Sequence, residues 1–199
     1  MANITQNLLL FLSATTLLLV SAASSTELPP KRHRFSTQLS PQDPNFIKNR
    51  EKLTHLRFYF HDIVSGNHPT ALTIVGHPAV AVNSSSFGQV VMIDDPLTLS
   101  PEPTSRLVGR AQGVYASASQ EELGFLMVLN LVFVEGKYNG SSLAVLGRNA
   151  VFSDVREMPV VGGSGLFRFA RGYVHAKTHS FDLETGDAVV EYNVYVFHY

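Results

Sequence analysis

Three short stretches of the chain carry side chains able to move a proton or hold an anion. The first is Leu56-Arg57-Phe58-Tyr59-Phe60-His61-Asp62. Alternate residues of a strand share a face, so Leu56, Phe58 and Phe60 lie together and Asp62 continues their row. His55, Arg57, Tyr59 and His61 then point to the outer face. If the apolar row lines an interior, a carboxylate at its end is costly unless paired or hydrogen-bonded. Desolvation would raise its pKa towards that of an acid working near neutral pH. The other reading has Asp62 mark the strand end and cap the turn at Ser65-Gly66. The second stretch is Gly147-Arg148-Asn149 followed by Asp154-Val155-Arg156-Glu157. A guanidinium keeps its proton, so Arg156 inside a cavity must meet an anion, a phenolate or Asp62, whereas on the surface it needs no partner. The third centres on Tyr115, whose hydroxyl requires a partner if buried. Phe87, Phe152, Phe167 and Phe181 suit either a cavity wall or ordinary core.

Other chemistries find no support in the sequence. There is no cysteine among the 199 residues, which excludes thiol catalysis and thiolate metal sites. The eight histidines, His55/His61 and His175/His179 among them, lack the short spacing of a zinc motif. No phosphate loop or dinucleotide fingerprint occurs, and Gly162-Gly163-Ser164-Gly165 stands between strands, not at a strand-to-helix elbow. No metal and no cofactor are therefore expected. A formal net charge of -1 gives no global field for nucleic acid. The basic run Lys31-Arg32-His33-Arg34 reads as a solvated linker.

The elements that must position these residues are strands. From Lys52 onward the pattern has period two and is rich in Val, Phe, Tyr and Thr. Strands are predicted over Leu53–Val64, Thr70–Val82, Phe87–Asp94, Leu107–Ser117, Gly124–Glu135, Ser142–Arg148, Gly165–Thr178 and Val189–Phe197. Turn signals separate them, including Asp94-Asp95-Pro96, Asn139-Gly140 and Glu184-Thr185-Gly186-Asp187. Met158 to Gly163 also reads as turn chemistry. Eight such strands suggest an all-β, eight-stranded antiparallel up-and-down β-barrel, which leaves no sheet edge; a two-sheet sandwich is the alternative. In Gly124–Glu135, Phe125, Met127, Leu129, Leu131 and Phe133 form one apolar face, and Leu126, Val128, Val132 and Val134 another. A barrel strand apolar on both sides must be covered outside as well, which predicts a homo-oligomer.

The N-terminal region reads differently. Leu8 to Val20 is an apolar run too short to span a bilayer, and the small residues Ser21-Ala22-Ala23 follow it. Residues 1–23 are expected to be a signal peptide, 24–52 an arm without regular period, and 53–199 one barrel domain. Secretion with no membrane segment left is the expectation, and a chain without cysteines must draw its stability from the hydrophobic core. The sequons at Asn83 and Asn139 are candidate glycosylation sites.

Six runs together resemble the plant dirigent family. They are Phe58-Tyr59-Phe60-His61-Asp62-Ile63, Asp94-Asp95-Pro96-Leu97-Thr98, Gly109-Arg110-Ala111-Gln112-Gly113-Val114-Tyr115, Tyr138-Asn139-Gly140-Ser141-Ser142-Leu143, Arg156-Glu157-Met158-Pro159-Val160-Val161-Gly162-Gly163 and Phe167-Arg168-Phe169-Ala170-Arg171-Gly172-Tyr173. The resemblance implies a barrel of the dirigent and allene-oxide-cyclase kind assembled as a trimer, located in the plant apoplast. It implies stereoselective guidance of phenoxy radical coupling in lignan-type phenylpropanoid biosynthesis, with an external laccase or peroxidase as oxidant. The alternative it implies is a quinone-methide cyclase or dehydratase of the pterocarpan synthase type, acting on an isoflavanol. A non-catalytic cell-wall scaffold that binds phenolics is the third reading. Family roles carry over to Asp62, Tyr115 and Arg156 as catalytic residues, with Phe60, Asn149, Phe152, Phe167, Thr178 and Phe181 around the substrate. Asn149 stands where the pinoresinol-forming branch has a second acid, Asp-Asp-Pro replaces its Asp-Gly-Pro, and its paired cysteines are missing. The resemblance is thus nearer to the branch that includes pterocarpan synthases.

Overall fold

The computed structural model describes residues 51–76 and 86–199, all within one compact unit. The predicted signal peptide and arm, the sequon at Asn83 and the end of the strand expected over Thr70–Val82 lie outside the described residues. The period-two segments form nine strands: β1 (Lys52–Asp62), β2 (Ala71–Val75), β3 (Val90–Thr98), β4 (Leu107–Ser117), β5 (Gly124–Phe133), β6 (Ser142–Ala150), β7 (Arg156–Ser164), β8 (Arg171–Phe181) and β9 (Ala188–His198). Only two 3₁₀ turns, Gly136–Tyr138 and Gly165–Phe167, interrupt them among the described residues.

All pairings are antiparallel and follow the order β1-β9-β8-β7-β6-β5-β4-β3, with β1–β3 pairing closing the ring. The barrel therefore has eight strands, and β2 is an extra strand beside β3. Several sequence expectations change: the strand predicted over Phe87–Asp94 runs from Val90 to Thr98, and the one over Gly165–Thr178 starts only at Arg171, after a 3₁₀ turn. The strand predicted over Thr70–Val82 is not a wall of the barrel, and Met158 to Gly163 is not a turn but part of β7. Proline explains both this and the misread Asp94-Asp95-Pro96, which lies inside β3. A proline cannot donate to a ladder and is tolerated where a ladder stops. Pro159 pairs with Tyr173 of β8, but lies beyond Val145↔Val160, where the β6–β7 ladder ends. Pro96 pairs with Arg110 of β4, just beyond Phe60↔Leu97, where the β1–β3 ladder ends.

Strand alternation gives the barrel one packed end and one open end. At the packed end, Phe167 lies 4.7 Å from the Tyr138 ring, 5.6 Å from Phe133 and 5.0 Å from His198. Phe58, Leu97, Leu131, Leu143, Val194 and Val196 continue this core. Each such side chain contributes ~1.5–3 kcal/mol by leaving water. The outer face of β1 is not wholly solvated as its parity suggested. His61 is buried and its Nε2 lies 2.7 Å from the Thr98 Oγ1, while Tyr59 is buried too.

Candidate functional site

Following each strand from the packed end outward leads to one cavity of about 860 Å³ at the other end of the barrel. The inward row of β1 reaches it at Phe60 and Asp62, that of β4 at Tyr115, β6 at Asn149, β7 at Arg156, β8 at Thr178 and β9 at Val190 and Tyr192. Phe152 and Phe181 stand at its mouth, both exposed. Of the aromatic and polar residues the sequence nominated for the cavity, Phe87 and Phe167 are not brought here; Phe87 is exposed before β3. The 3₁₀ turn Gly165–Phe167 drives Phe167 into the packed end, where it is fully buried. Asn139 is exposed in the turn between β5 and β6, as a sequon requires.

The polar groups divide between two walls. In the ring order, β3 stands four strands from β7, so β1, β3 and β4 face β6, β7 and β8 across the cavity. The first wall is acidic. Asp62 does not cap the Ser65 turn; Asp187 does, accepting from the Val64 and Ser65 amides at 2.9 and 3.0 Å and from the Ser65 hydroxyl at 2.7 Å. Asp62 instead turns inward, where burial raises its pKa to about 6 against the opposing hydrogen bond from the Tyr115 hydroxyl. Tyr115 is held well above the ordinary phenol range by burial and by the Asp62 charge. Its ring stacks on Phe125 at 4.9 Å.

The facing wall is cationic. Arg156 is buried, with Nε donating to Asn149 Oδ1 at 3.1 Å and Nη1 to Thr178 Oγ1 at 2.8 Å. Asn149 also points its Nδ2 at the Met127 sulfur, 3.7 Å away. Burial lowers the Arg156 pKa, yet a guanidinium stays charged. No carboxylate lies within ion-pair distance of Arg156 among the described residues. Asp62 and Arg156 share the cavity and stand on opposite sides of it.

Sequence reasoning missed two groups at this end. Asp95 is completely buried and its pKa is raised to about 8, by burial first and by the Asp62 charge second. Tyr192 is buried against Phe60 at 5.3 Å, and burial pushes its phenol up while Arg156 opposes the shift. Parity was the available signal. Asp95 continues the inward row Val91, Ile93, Leu97, and Tyr192 the row Val190, Val194, Val196.

The fold and the motifs can be set beside those of known proteins. The family model described as "Dirigent-like protein" matches residues 53–197. Dirigent protein 21 of Arabidopsis thaliana is 52% identical over 190 residues, 96% of this chain and 97% of that relative. Pterocarpan synthase 1 of Glycyrrhiza echinata is 55% identical over 150 residues, 75% of this chain and 80% of that relative. Among solved structures, the pterocarpan synthase dirigent protein GePTS1 superposes with a TM-score of 0.72 at 53% identity, covering 76% of this chain and 87% of its own. Barrel, motifs and relatives agree, and the chain belongs to the dirigent family.

Proposed function

We propose that the cavity takes a phenolic benzylic alcohol of the isoflavanol kind and directs its dehydration and ring closure through a quinone methide, as a pterocarpan synthase does. The observation carrying this reading is the placement of a buried acid and an arginine without a carboxylate partner on facing walls of one apolar cavity. A quinone methide has two reactive ends, a carbonyl oxygen and an electrophilic carbon. Arg156 serves the oxygen end, stabilising the phenolate from which the quinone methide forms and to which it returns. Asp62, with Tyr115, serves the carbon end. It protonates the leaving hydroxyl as the benzylic C–O bond breaks and water departs. When the neighbouring phenol adds to that carbon, its proton returns to Asp62, and the ring oxygen at Arg156 is reprotonated from solvent. Apolar walls such as Phe60, Phe125 and Val190 keep water from trapping the electrophile. They also fix which face of the carbon the phenol reaches.

Phenoxy radical coupling would use the walls and leave the acid and the arginine idle, because the oxidase supplies that chemistry. The two relatives called pterocarpan synthase, 55% and 50% identical, support the first reading. The test is incubation with a 2′-hydroxyisoflavanol without oxidant and, separately, with coniferyl alcohol and laccase, each followed by chiral chromatography. The expected result is oxidant-free conversion to one enantiomer. Enantiomeric excess only in the laccase arm overturns the reading in favour of radical coupling, and no effect in either arm leaves a phenolic-binding scaffold.

The same proposal includes export to the cell wall space, supported by the Leu8–Val20 run and the small residues after it. It also includes a homotrimer. Leu72, Met92, Val114, Val128 and Leu146 stand directly across from one another on β2 to β6, forming an apolar belt on the outside of the barrel. Four of the five are exposed, and contiguous apolar surface of this kind marks an interface.

A further inference from the structure

Asp95 is a buried carboxyl to which the proposed chemistry gives no task, and its surroundings show what it can do. Two strands take turns beside β3. β1 pairs with it at Leu97 and Thr98, and β2 pairs with it from Ile93 onward. Asp94 and Asp95 occupy the seam between them. Thr70 bridges the seam, its carbonyl accepting from the Asp94 amide at 2.9 Å and its amide donating to the Ile63 carbonyl at 2.8 Å. The register Tyr59↔Thr98, Phe60↔Leu97, carried two residues further, sets Asp62 opposite Asp95. Both belong to inward rows, so their carboxyls turn to the same side of the seam, near enough for the Asp62 charge to raise the Asp95 pKa.

The hydrogen bonds at the seam run in one direction. The Ile63 amide donates to the Thr70 Oγ1 at 3.3 Å, so the Thr70 hydroxyl proton goes to Asp95 Oδ1. That leaves Asp95 Oδ2 buried with no hydrogen-bond partner among the described residues, and Asp62 Oδ1 likewise. Two facing carboxyls, each with one empty oxygen in a site closed to water, cannot both ionise without large cost. One proton between them satisfies both oxygens.

We propose that Asp62 and Asp95 share one proton across the β1–β3 seam, with Asp95 the positioning residue that keeps a proton available to Asp62 at neutral pH. This inference rests on the quinone-methide reading for its use and on the seam geometry for its existence. The pair gives its proton through Asp62 to the leaving hydroxyl and regains one from the attacking phenol, so its proton count is restored each turnover. The groups facing the pair are Tyr115 of β4, Tyr192 of β9, Asp187 before β9, and Asp94 and Arg110 on the outer side of β3 and β4. Tyr115 lowers the Asp62 pKa by less than burial raises it, and Arg110 is engaged with Asp94 at 2.6 Å, so neither replaces the shared proton. The values of about 6 and about 8 on Asp62 and Asp95 then belong to the pair, which carries one proton between them.

Isotope-edited infrared spectroscopy of aspartate-labelled protein tests the pair without any substrate. A protonated-carboxyl band should persist at neutral pH and titrate away near pH 8. It should be lost in Asp95→Asn, and in Asp62→Asn its midpoint should fall because the neighbouring charge is gone. If either charge variant does not fold, Thr70→Val removes no charge and should move the midpoint upward. A wild-type protein with no such band at neutral pH overturns the proposal, as does a midpoint indifferent to Asp62→Asn. Turnover of an isoflavanol is the second arm. Asp95→Asn should slow it roughly 10²-fold, at the low end of acid–base contributions. Its alkaline limb should also move from about 8 towards about 6, since Asp62 alone must then hold the proton. A rate loss with an unmoved limb overturns the positioning role. A wild-type band without any isoflavanol turnover sinks the quinone-methide reading and upholds the shared proton.

Discussion

Arg156 donates from Nε to Asn149 and from Nη1 to Thr178, both neutral acceptors, so its charge is positioned but not cancelled. Positioning without neutralisation is what an oxyanion site needs. Asn149→Asp tests this at the cost of one atom. The new carboxylate would sit 3.1 Å from the guanidinium Nε, where the amide oxygen is now. An uncompensated buried charge gains a partner, so the melting temperature should rise, while turnover of a phenolic substrate should fall roughly 10- to 100-fold as the ion pair competes with the phenolate. Thermal unfolding and steady-state kinetics on the same preparation check both signs; a variant equally stable and equally active denies Arg156 its role. The acidic wall gives the second residue-scale prediction. Asp62 and Asp95 have folded pKa values raised from 3.8 to about 6 and about 8, so the folded state binds more protons than the unfolded one between those limits. Stability from this source is complete below the ordinary carboxylate pKa and is lost as the pH rises through about 6 and then about 8. Chemical denaturation should therefore show stability falling from mildly acid to mildly alkaline solution. The slope should flatten in Asp95→Asn, and an unchanged slope would mean that Asp95 ionises freely.

At the scale of the strand, alternation made most of the site readable. The row Leu56, Phe58, Phe60, Asp62 offered the interior as one of two places for the acid, the other being a turn cap, and in the structure Asp62 lines the cavity. Asp95 obeys the same rule but sits between Asp94 and Pro96, a run whose local chemistry is that of a turn. β7 was hidden the same way by Pro159 and by Gly162-Gly163. In both strands the proline lies where one ladder has ended, a tertiary fact with no local trace. Phe167 misled for the opposite reason, since it belongs to no strand and alternation says nothing about a 3₁₀ turn. Glycine at β8 makes a testable case of strand-scale constraint. A Cβ built on Gly172 would overlap the Tyr195 carbonyl oxygen of β9 and come within 3.0 Å of the Val196 Cα. These are backbone atoms and cannot rotate away. Gly172→Ala should cost about 1–3 kcal/mol, the usual penalty of overpacking, by prying β8 from β9. Denaturant unfolding measures it, and a loss below ~0.5 kcal/mol, the size of an ordinary surface change, would show that the strands yield without cost.

For the molecule as a whole, the outer face of β2 to β6 differs from that of β8 and β9. The outer face of β8 and β9 is covered by its own polar and aromatic contacts. His55 stacks on Tyr195 at 4.5 Å, and Tyr173 lies 5.1 Å from Tyr195. His175 pairs with Glu157 at 3.0 Å, and His55 with Asn193 at 2.9 Å. Across β2 to β6 the belt Leu72, Met92, Val114, Val128 and Leu146 has no such contacts among the described residues, and four of the five are exposed. Val128 is its exposed member on β5, opposite Val114 on one side and Leu146 on the other. Val128→Lys puts a charge there while leaving the inward neighbours Met127 and Leu129 untouched. If the belt is the proposed trimer contact, the wild type should elute as a trimer at micromolar concentration and the variant as a folded monomer, by size exclusion with light scattering and an unchanged far-ultraviolet spectrum. Leu72 is the belt residue that also borders the cavity and Val128 does not, so a Val128→Lys monomer that keeps its turnover would show that each barrel is catalytically complete. A wild type that is monomeric, or a variant that remains a trimer, would remove the belt as the interface.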